Sequence, residues 1–312
     1  MRVAVIDCGT NTIRLLVADG REDGSISDVI RTLRFVRLGQ GVDATGRFHS
    51  DALKRTFAAV EEYAALIAET KPERIRFLAT SAARDVSNRD EFIAGVRERL
   101  GIDPEVISGD EEARLSFRGA LAGGPVGEGP VLVCDIGGGS TELIKGDVSG
   151  VVTADISLNM GSVRLRERFL HTDPPTAGEI AEARAFVADL LDGSGLLLTA
   201  EATGGDIGTW IGVAGTSTSI SAMVRGLTSY DPTIVHNSTV DVETIEELSQ
   251  QLLSMTVAQT LARYPVLKPQ RAEVICAGVL IAAEIAARVG KPMLVRETDI
   301  LDGAAVGLLA ES

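Results

Sequence analysis

The chain has 312 residues, 45% apolar and 24% charged, a length at which two domains of about 150 residues are the ordinary expectation and a composition usual for α/β proteins. Its formal net charge of −14 excludes sequence-independent nucleic-acid binding, which needs a basic face against the phosphates. Cys8, Cys134 and Cys276 are scattered, and His49, His171 and His236 have no companion ligands, so neither a disulfide framework nor a zinc motif is present.

In chain order, RVAVID, IRLLVAD and the stretch around VIRTLRFVRLG read as three strands. SDALKRTFAAVEEYAALIAE then places Leu53, Phe57, Val60, Ala64 and Ile67 on one helical stripe. IRFLATS predicts a strand, SNRDEFIAGVRERLG a helix opened by capping residues and stopped at Gly101, PEVIS a strand and DEEARLSFRGAL a helix, so the first half runs βββαβαβα. AGGPVGEGP, at 122 to 130, is a Gly/Pro turn region and the best candidate for a domain junction. Beyond it VLVCDIG, TELIKGD and VVTADISL again give three strands. TAGEIAEARAFVADLLDG carries a capping box at Thr176 and Glu179. WIGVAG predicts a strand, RAEVICAGVLIAAEIAARVG a long helix and TDILDGAAVGLLA a closing one. The opening MRVAVIDCG enters a strand with no signal-type segment, and the apolar run AGVLIAAEIAA is broken by Glu284, well short of the ~20 residues that span a bilayer. Both features predict a cytoplasmic protein without a membrane contact.

The second half repeats the first. Asp7 is followed by Gly9, Thr12, Arg14 and Leu15, and Asp135 by Gly137, Ser140, Glu142 and Leu143, at the same offsets. Each set places an acid at a strand end, a glycine that lets backbone amides approach a ligand, and a hydroxyl that donates one more bond. The copies part where one has Arg14 and the other Glu142. The basic arm suits phosphate oxygens; Glu142 with Asp135 suits a hard cation. A tight hairpin with glycines at positive φ is the simpler alternative for either copy. A third cluster, GVAGTSTSISAM at 212 to 223, runs from strand to helix, where N-terminal amides favour an anion or Ser/Thr caps the helix.

Two glutamates on the helix within SGDEEARLSFRGAL separate by position. Ser108 and Glu111 form a capping-box pattern, and Glu111 shares an outward stripe with Arg114 and Arg118. Glu112 falls with Leu115, Ser116 and Gly119 instead, which predicts an inward carboxylate. Arg84, just after IRFLATS, should emerge at the carboxyl end of the strand, where open α/β sheets bind ligands; a surface pair with Asp85 is the alternative.

IDCGTNTIRLL, ATSAARD, ISGDEEARLSFRG, VCDIGGGSTEL, RAEVICAG and ETDILDG resemble, in order, the motifs of the exopolyphosphatase and guanosine pentaphosphate phosphohydrolase family, and most nearly its short actinobacterial exopolyphosphatases. Thr10 and Thr12 stand where that family usually has serines, which keeps the hydroxyls. The resemblance implies the fold of the actin, sugar-kinase and chaperone ATPase superfamily: α/β, with two ribonuclease-H-like domains flanking a cleft, here 1–121 plus 299–312 and 122–298. It implies a Mg²⁺-dependent phosphoric anhydride hydrolase that is a homodimer. Asp135 and Glu142 would hold the metal. Gly9, Thr10, Asn11, Arg14, Arg84, Gly137, Gly138, Gly139, Ser140 and Thr141 would hold phosphate. Glu112 would be the base that activates water. The substrate would be inorganic polyphosphate or guanosine pentaphosphate; an ATP-dependent kinase of the same superfamily and a noncatalytic polyphosphate binder are the rival readings.

Overall fold

The computed structural model describes residues 1–84, 86–197 and 207–310, and the chain divides into two units, Met1–Ala122 with Asp299–Ser312, and Gly123–Thr298.

In the first unit β1 (Arg2–Cys8), β2 (Thr12–Gly20) and β3 (Ile26–Phe35) form an antiparallel meander. Then come α1 (Val42–Thr45), α2 (Ser50–Thr70), β4 (Arg74–Ala79), α3 (Ser81–Arg84), α4 (Arg89–Leu100), β5 (Glu105–Val106) and α5 (Gly109–Ala122). The sheet order is β3-β2-β1-β4-β5, with β4 parallel to β1 and β5 parallel to β4. Central β1 is covered on both faces, so it reads as an almost unbroken apolar run. Ala4, Ile6 and Cys8 join Tyr63, Phe77 and Phe92 on one face, while Val3 and Val5 join Leu115, Ile300, Leu301, Ala304 and Ala305 on the other. The two-residue period of a strand makes that division and assigns Asp7 to the face of α5 and the closing helix. That helix, Ile300–Ala310, meets α5 backbone to backbone. A Cβ on Gly119 would lie 1.7 Å from the Asp299 carbonyl oxygen, and one on Gly303 would lie 1.9 Å from that of Leu115.

Two single-turn helices, α1 and α3, interrupt the expected βββαβαβα order. The strand expected over IRFLATS ends at Ala79, because Thr80 bonds back to the Cys8 carbonyl and Ser81 starts α3. Asn88, expected to cap α4, makes no cap bond. Its side-chain amide instead pairs with both backbone groups of Phe48, accepting at 2.8 Å and donating at 3.2 Å.

The second unit repeats the plan. It contains β6 (Val131–Ile136), β7 (Thr141–Gly146), β8 (Val152–Leu158), α6 (Ser162–Phe169), α7 (Ala177–Ser194), β9 (Thr209–Val213), α8 (Ala214–Val224), α9 (Pro232–Val235), β10 (Ser238–Val240), α10 (Val242–Leu253), α11 (Val257–Arg263), α12 (Pro269–Val289) and β11 (Met293–Val295). The order β10-β11-β9-β6-β7-β8 reproduces the five-strand order of the first unit and adds β10 at one edge. Its core gathers Trp210, Ile220, Leu252 and most of α12. Glu284, the acid inside the apolar run of α12, bonds Arg184 at 2.8 Å and Arg288 at 2.9 Å. Among the described residues no helix is long and apolar enough to cross a membrane. All three cysteines are free and buried, and burial pushes each thiol up, away from the reactive thiolate.

Candidate active site

The seven-residue offset in the repeat is a strand register. Asp7 pairs directly with Arg14 across β1 and β2, and Asp135 with Glu142 across β6 and β7. Both turns close with the same bond, from Gly9 N to Thr12 O at 2.9 Å and from Gly137 N to Ser140 O at 3.0 Å.

In the first unit the Arg14 guanidinium donates to Asp7 Oδ2 at 2.6 Å and 3.0 Å and also to Asp299 Oδ2. Burial alone would pull Arg14 down, but Asp299 and Asp7 outweigh it and hold the guanidinium well above its ordinary value. Burial pushes the Asp7 carboxyl up against the pull of Arg14. Arg14, expected to grip phosphate, therefore already lies between two carboxylates. The turn's carbonyls are bonded from the segment after β3: Asn11 O by Val36 N and Arg37 N, and Thr10 O by Gly39 N at 2.8 Å. Gly39 must be glycine there, since a Cβ would stand 2.2 Å from Thr10 Cγ2. Thr10 Oγ1 and Ser81 Oγ share a hydrogen at 3.0 Å. Asp7 Oδ1 and both polar side-chain atoms of Asn11 are buried without a partner among the described residues. Such groups are costly to bury unless something binds them.

Glu112 lies on α5 and is 8% exposed, so its inward orientation stands. The box at its helix start is half made. Ser108 Oγ accepts from Glu111 N at 3.1 Å, but the Glu111 carboxylate bonds Arg76 at 2.6 Å. Arg84 donates to Glu112 Oε2 at 2.7 Å and to Ile107 O at 3.1 Å. Arg89 in turn donates to the carbonyls of Ala83 and Arg84, both at 2.7 Å, and so caps α3. The structure thus brings Arg84 to the candidate base; Asp85, its alternative partner, lies outside the described residues.

In the second unit Asp135 and Glu142 stand side by side, 7% and 1% exposed, and Ser157 donates to Glu142 Oε1 at 2.6 Å. Carboxylates directly opposite on neighbouring strands cost stability unless a cation or proton accompanies them. Two hard oxygen donors in that pairing fit a small divalent ion, although no group of three or more possible metal ligands occurs among the described residues. The glycine turn spends every carbonyl. Gly137 O accepts from Ser162 N, Gly138 O from Val163 N and Arg164 N, and Gly139 O from Arg164 Nε at 2.8 Å. The amides of Gly138, Gly139 and Ser140 donate to nothing among the described residues. Thr141 is fully buried and its hydroxyl donates to Met160 O at 2.6 Å, so that hydroxyl is not available to a ligand. In the third cluster, helix α8 has no side-chain cap; Thr216 bonds Ile136 O and Ser219 bonds Gly215 O.

Sequence reasoning overlooked Asp299, Ser81, Arg164 and Gly161 as parts of these turns. Only Asp299 carried a readable signal: with Asp302 it makes a D-x-x-D cap, Asp299 Oδ1 accepting from Leu301 N and Asp302 Oδ2 from Asp299 N.

A family model described as the Ppx/GppA phosphatase family matches residues 16–293. Exopolyphosphatase 2 of Mycobacterium tuberculosis is 46% identical, the alignment covering 98% of either chain. The crystal structure of an exopolyphosphatase-like protein superposes with a TM-score of 0.92 at 38% identity, over 98% of this chain and 97% of the other. The Ppx/GppA family member of Aquifex aeolicus does so with a TM-score of 0.83 at 31% identity, over 100% and 98%.

Proposed function

The chain belongs to the Ppx/GppA phosphatase family, and from that premise we propose that it is an exopolyphosphatase, a hydrolase that releases the terminal orthophosphate of inorganic polyphosphate. The observation that carries this reading is the turn of the second unit, where amide donors with no acceptor adjoin two opposed carboxylates. Donors of that kind suit phosphate oxygens, and the acid pair suits the cation that accompanies a polyanion. The choice of polyphosphate is supported by the likeness to the M. tuberculosis enzyme.

In this reading the amides of Gly138, Gly139 and Ser140 hold phosphate oxygens in the second unit, and Gly9, Thr10, Asn11 and Arg14 offer the matching turn of the first unit to phosphate. Asp135 and Glu142 would hold Mg²⁺, which would offset charge on the phosphate oxygens. Glu112 takes the proton of the attacking water as the bond between the terminal phosphorus and its bridging oxygen breaks. In the same reading Arg84, bonded to Glu112 Oε2, fixes the direction of that carboxylate and gives its remaining donors to phosphate. Since phosphoryl transfer asks mainly for positioning and charge stabilisation, the preset amides supply much of the rate. The same reading carries a cytoplasmic homodimer.

The test is orthophosphate release by the purified protein from long-chain polyphosphate, guanosine pentaphosphate and ATP, each with and without Mg²⁺. Metal-dependent release from polyphosphate is expected. Preference for guanosine pentaphosphate would reassign the substrate, loss of the terminal phosphate of ATP to an acceptor would make the protein a kinase, and binding without release at any Mg²⁺ concentration would make it a binder.

A further inference from the structure

Helix α6 (Ser162–Phe169) begins with an arrangement that helix energetics do not favour. Its first turn has no acidic residue, and its third position is Arg164. A cation at the positive end of a helix dipole is unfavourable. The helix N-cap, Gly161, makes no side-chain cap bond, and it cannot be replaced without moving the glycine turn: a Cβ there would lie 2.4 Å from the Gly138 carbonyl carbon and 2.6 Å from Gly139 N. The helix start is therefore pressed onto the turn, and its bonds run in one direction. Ser162 N, Val163 N, Arg164 N and Arg164 Nε all donate, and Gly137 O, Gly138 O and Gly139 O all accept. A peptide plane whose carbonyl is fixed has its amide fixed on the opposite side. Arg164 Nε at 2.8 Å from Gly139 O thus orients the peptide that carries the Ser140 amide, and the Arg164 and Val163 amides orient the one that carries Gly139 N.

We infer that Arg164 is a positioning residue for phosphate, acting through the Gly137–Gly139 turn: by holding its carbonyls it keeps the turn's amides directed at the oxygens of the terminal phosphate. This inference rests on the proposed phosphohydrolase reading and adds to it a residue outside the repeat. The first unit meets the same need without a helix, through Val36, Arg37 and Gly39. The guanidinium is a charge-assisted donor, and loss of such a bond corresponds to about tenfold to a hundredfold in binding.

The experiment compares wild type, Arg164→Met and Arg164→Lys for kcat and KM on long-chain polyphosphate, for competitive inhibition by inorganic phosphate, and for thermal midpoint. Arg164→Met should raise KM and the phosphate inhibition constant together by about tenfold to a hundredfold, with kcat falling less and the midpoint nearly unchanged. Arg164→Lys, whose ammonium can still donate to the Gly139 carbonyl, should recover part of the loss. If Arg164→Met does not fold, Arg164→Lys decides, since its single bond must still leave KM measurably raised. KM within twofold of wild type in a folded variant overturns the inference alone. Affinity lost only in step with the thermal midpoint makes Arg164 a structural residue and overturns it as well. A wild type that releases no phosphate from any substrate overturns the proposed function, and the inference with it.

Discussion

Two neighbouring glutamates on one helix end up with different partners because successive helical residues differ by about 100° in direction. Glu111 turns to Arg76 at 2.6 Å and Glu112 to Arg84 at 2.7 Å, and only the second is 8% exposed. Replacing Glu112 by glutamine keeps an oxygen for Arg84 and removes the capacity to accept a proton from water. Glu112→Gln should therefore fold as wild type and bind polyphosphate, while kcat falls about 10²- to 10⁴-fold, the usual contribution of one positioned base. Circular dichroism, polyphosphate binding and single-turnover phosphate release check the three parts, and turnover near wild type would move the base to another residue. The inward direction of Glu112 could be read from its companions Leu115, Ser116 and Gly119, because a helix face is a local property. The partners of Arg14 could not. Asp299 is 285 residues away in sequence, and only the return of the chain to the first unit brings it there. The partner of the Thr141 hydroxyl is hidden for the same reason, since Met160, which takes its hydrogen, comes from beyond the next strand.

Caps show how far local pattern carries an element. Thr176 and Glu179 form the complete reciprocal box expected from sequence, and Glu179 does more than close it. Its carboxylate accepts from His171 N at 3.0 Å, Thr172 N at 3.1 Å and Thr176 N at 2.7 Å, and from the hydroxyls of Thr172 and Thr176. The Thr172 hydroxyl first, and then these amides, hold the carboxyl down to about 2 from its ordinary 4.5. A carboxyl lowered by folding adds stability that is complete above its unfolded value and disappears as pH falls through the folded one. The thermal midpoint of wild type should thus exceed that of Glu179→Gln at pH 6, and the gap should close between about pH 4.5 and pH 2. A gap that is constant with pH would mean that the charge has no part in it. The alternation of strands and helices, the internal repeat and the closing helix were legible because each rests on periodicity within a dozen residues. β10 and β11, at three residues each, hold too little pattern to register as strands; they are defined by their neighbours in the sheet. Asn88 looked like a cap, but a side chain that can imitate a peptide was used on Phe48 instead.

The two units differ in how they depend on chain order. Gly123–Thr298 is continuous, whereas the first unit is completed only after that segment, when Asp299–Ser312 returns to it. The return covers Val3, Val5, Leu16, Ala18 and Leu78 with Ile300, Leu301, Ala304 and Ala305. It also gives Arg14 and Arg31 their buried partners Asp299 and Asp302. Burial of each large aliphatic side chain contributes about 1.5–3 kcal/mol, and stripping a buried charge of its partner costs about 3–5 kcal/mol. Together these match or exceed the roughly 5–15 kcal/mol that holds a whole domain. A chain ended at Thr298 should therefore lose the unfolding transition of the first unit and keep that of the second. Calorimetry would assign the surviving transition by its coincidence with that of an isolated 123–298 segment, which has its own apolar core. If the shortened chain kept both transitions, the closing helix would be an accessory to a sheet already stable without it, and the D-x-x-D cap with its two arginine partners would need an explanation other than stability.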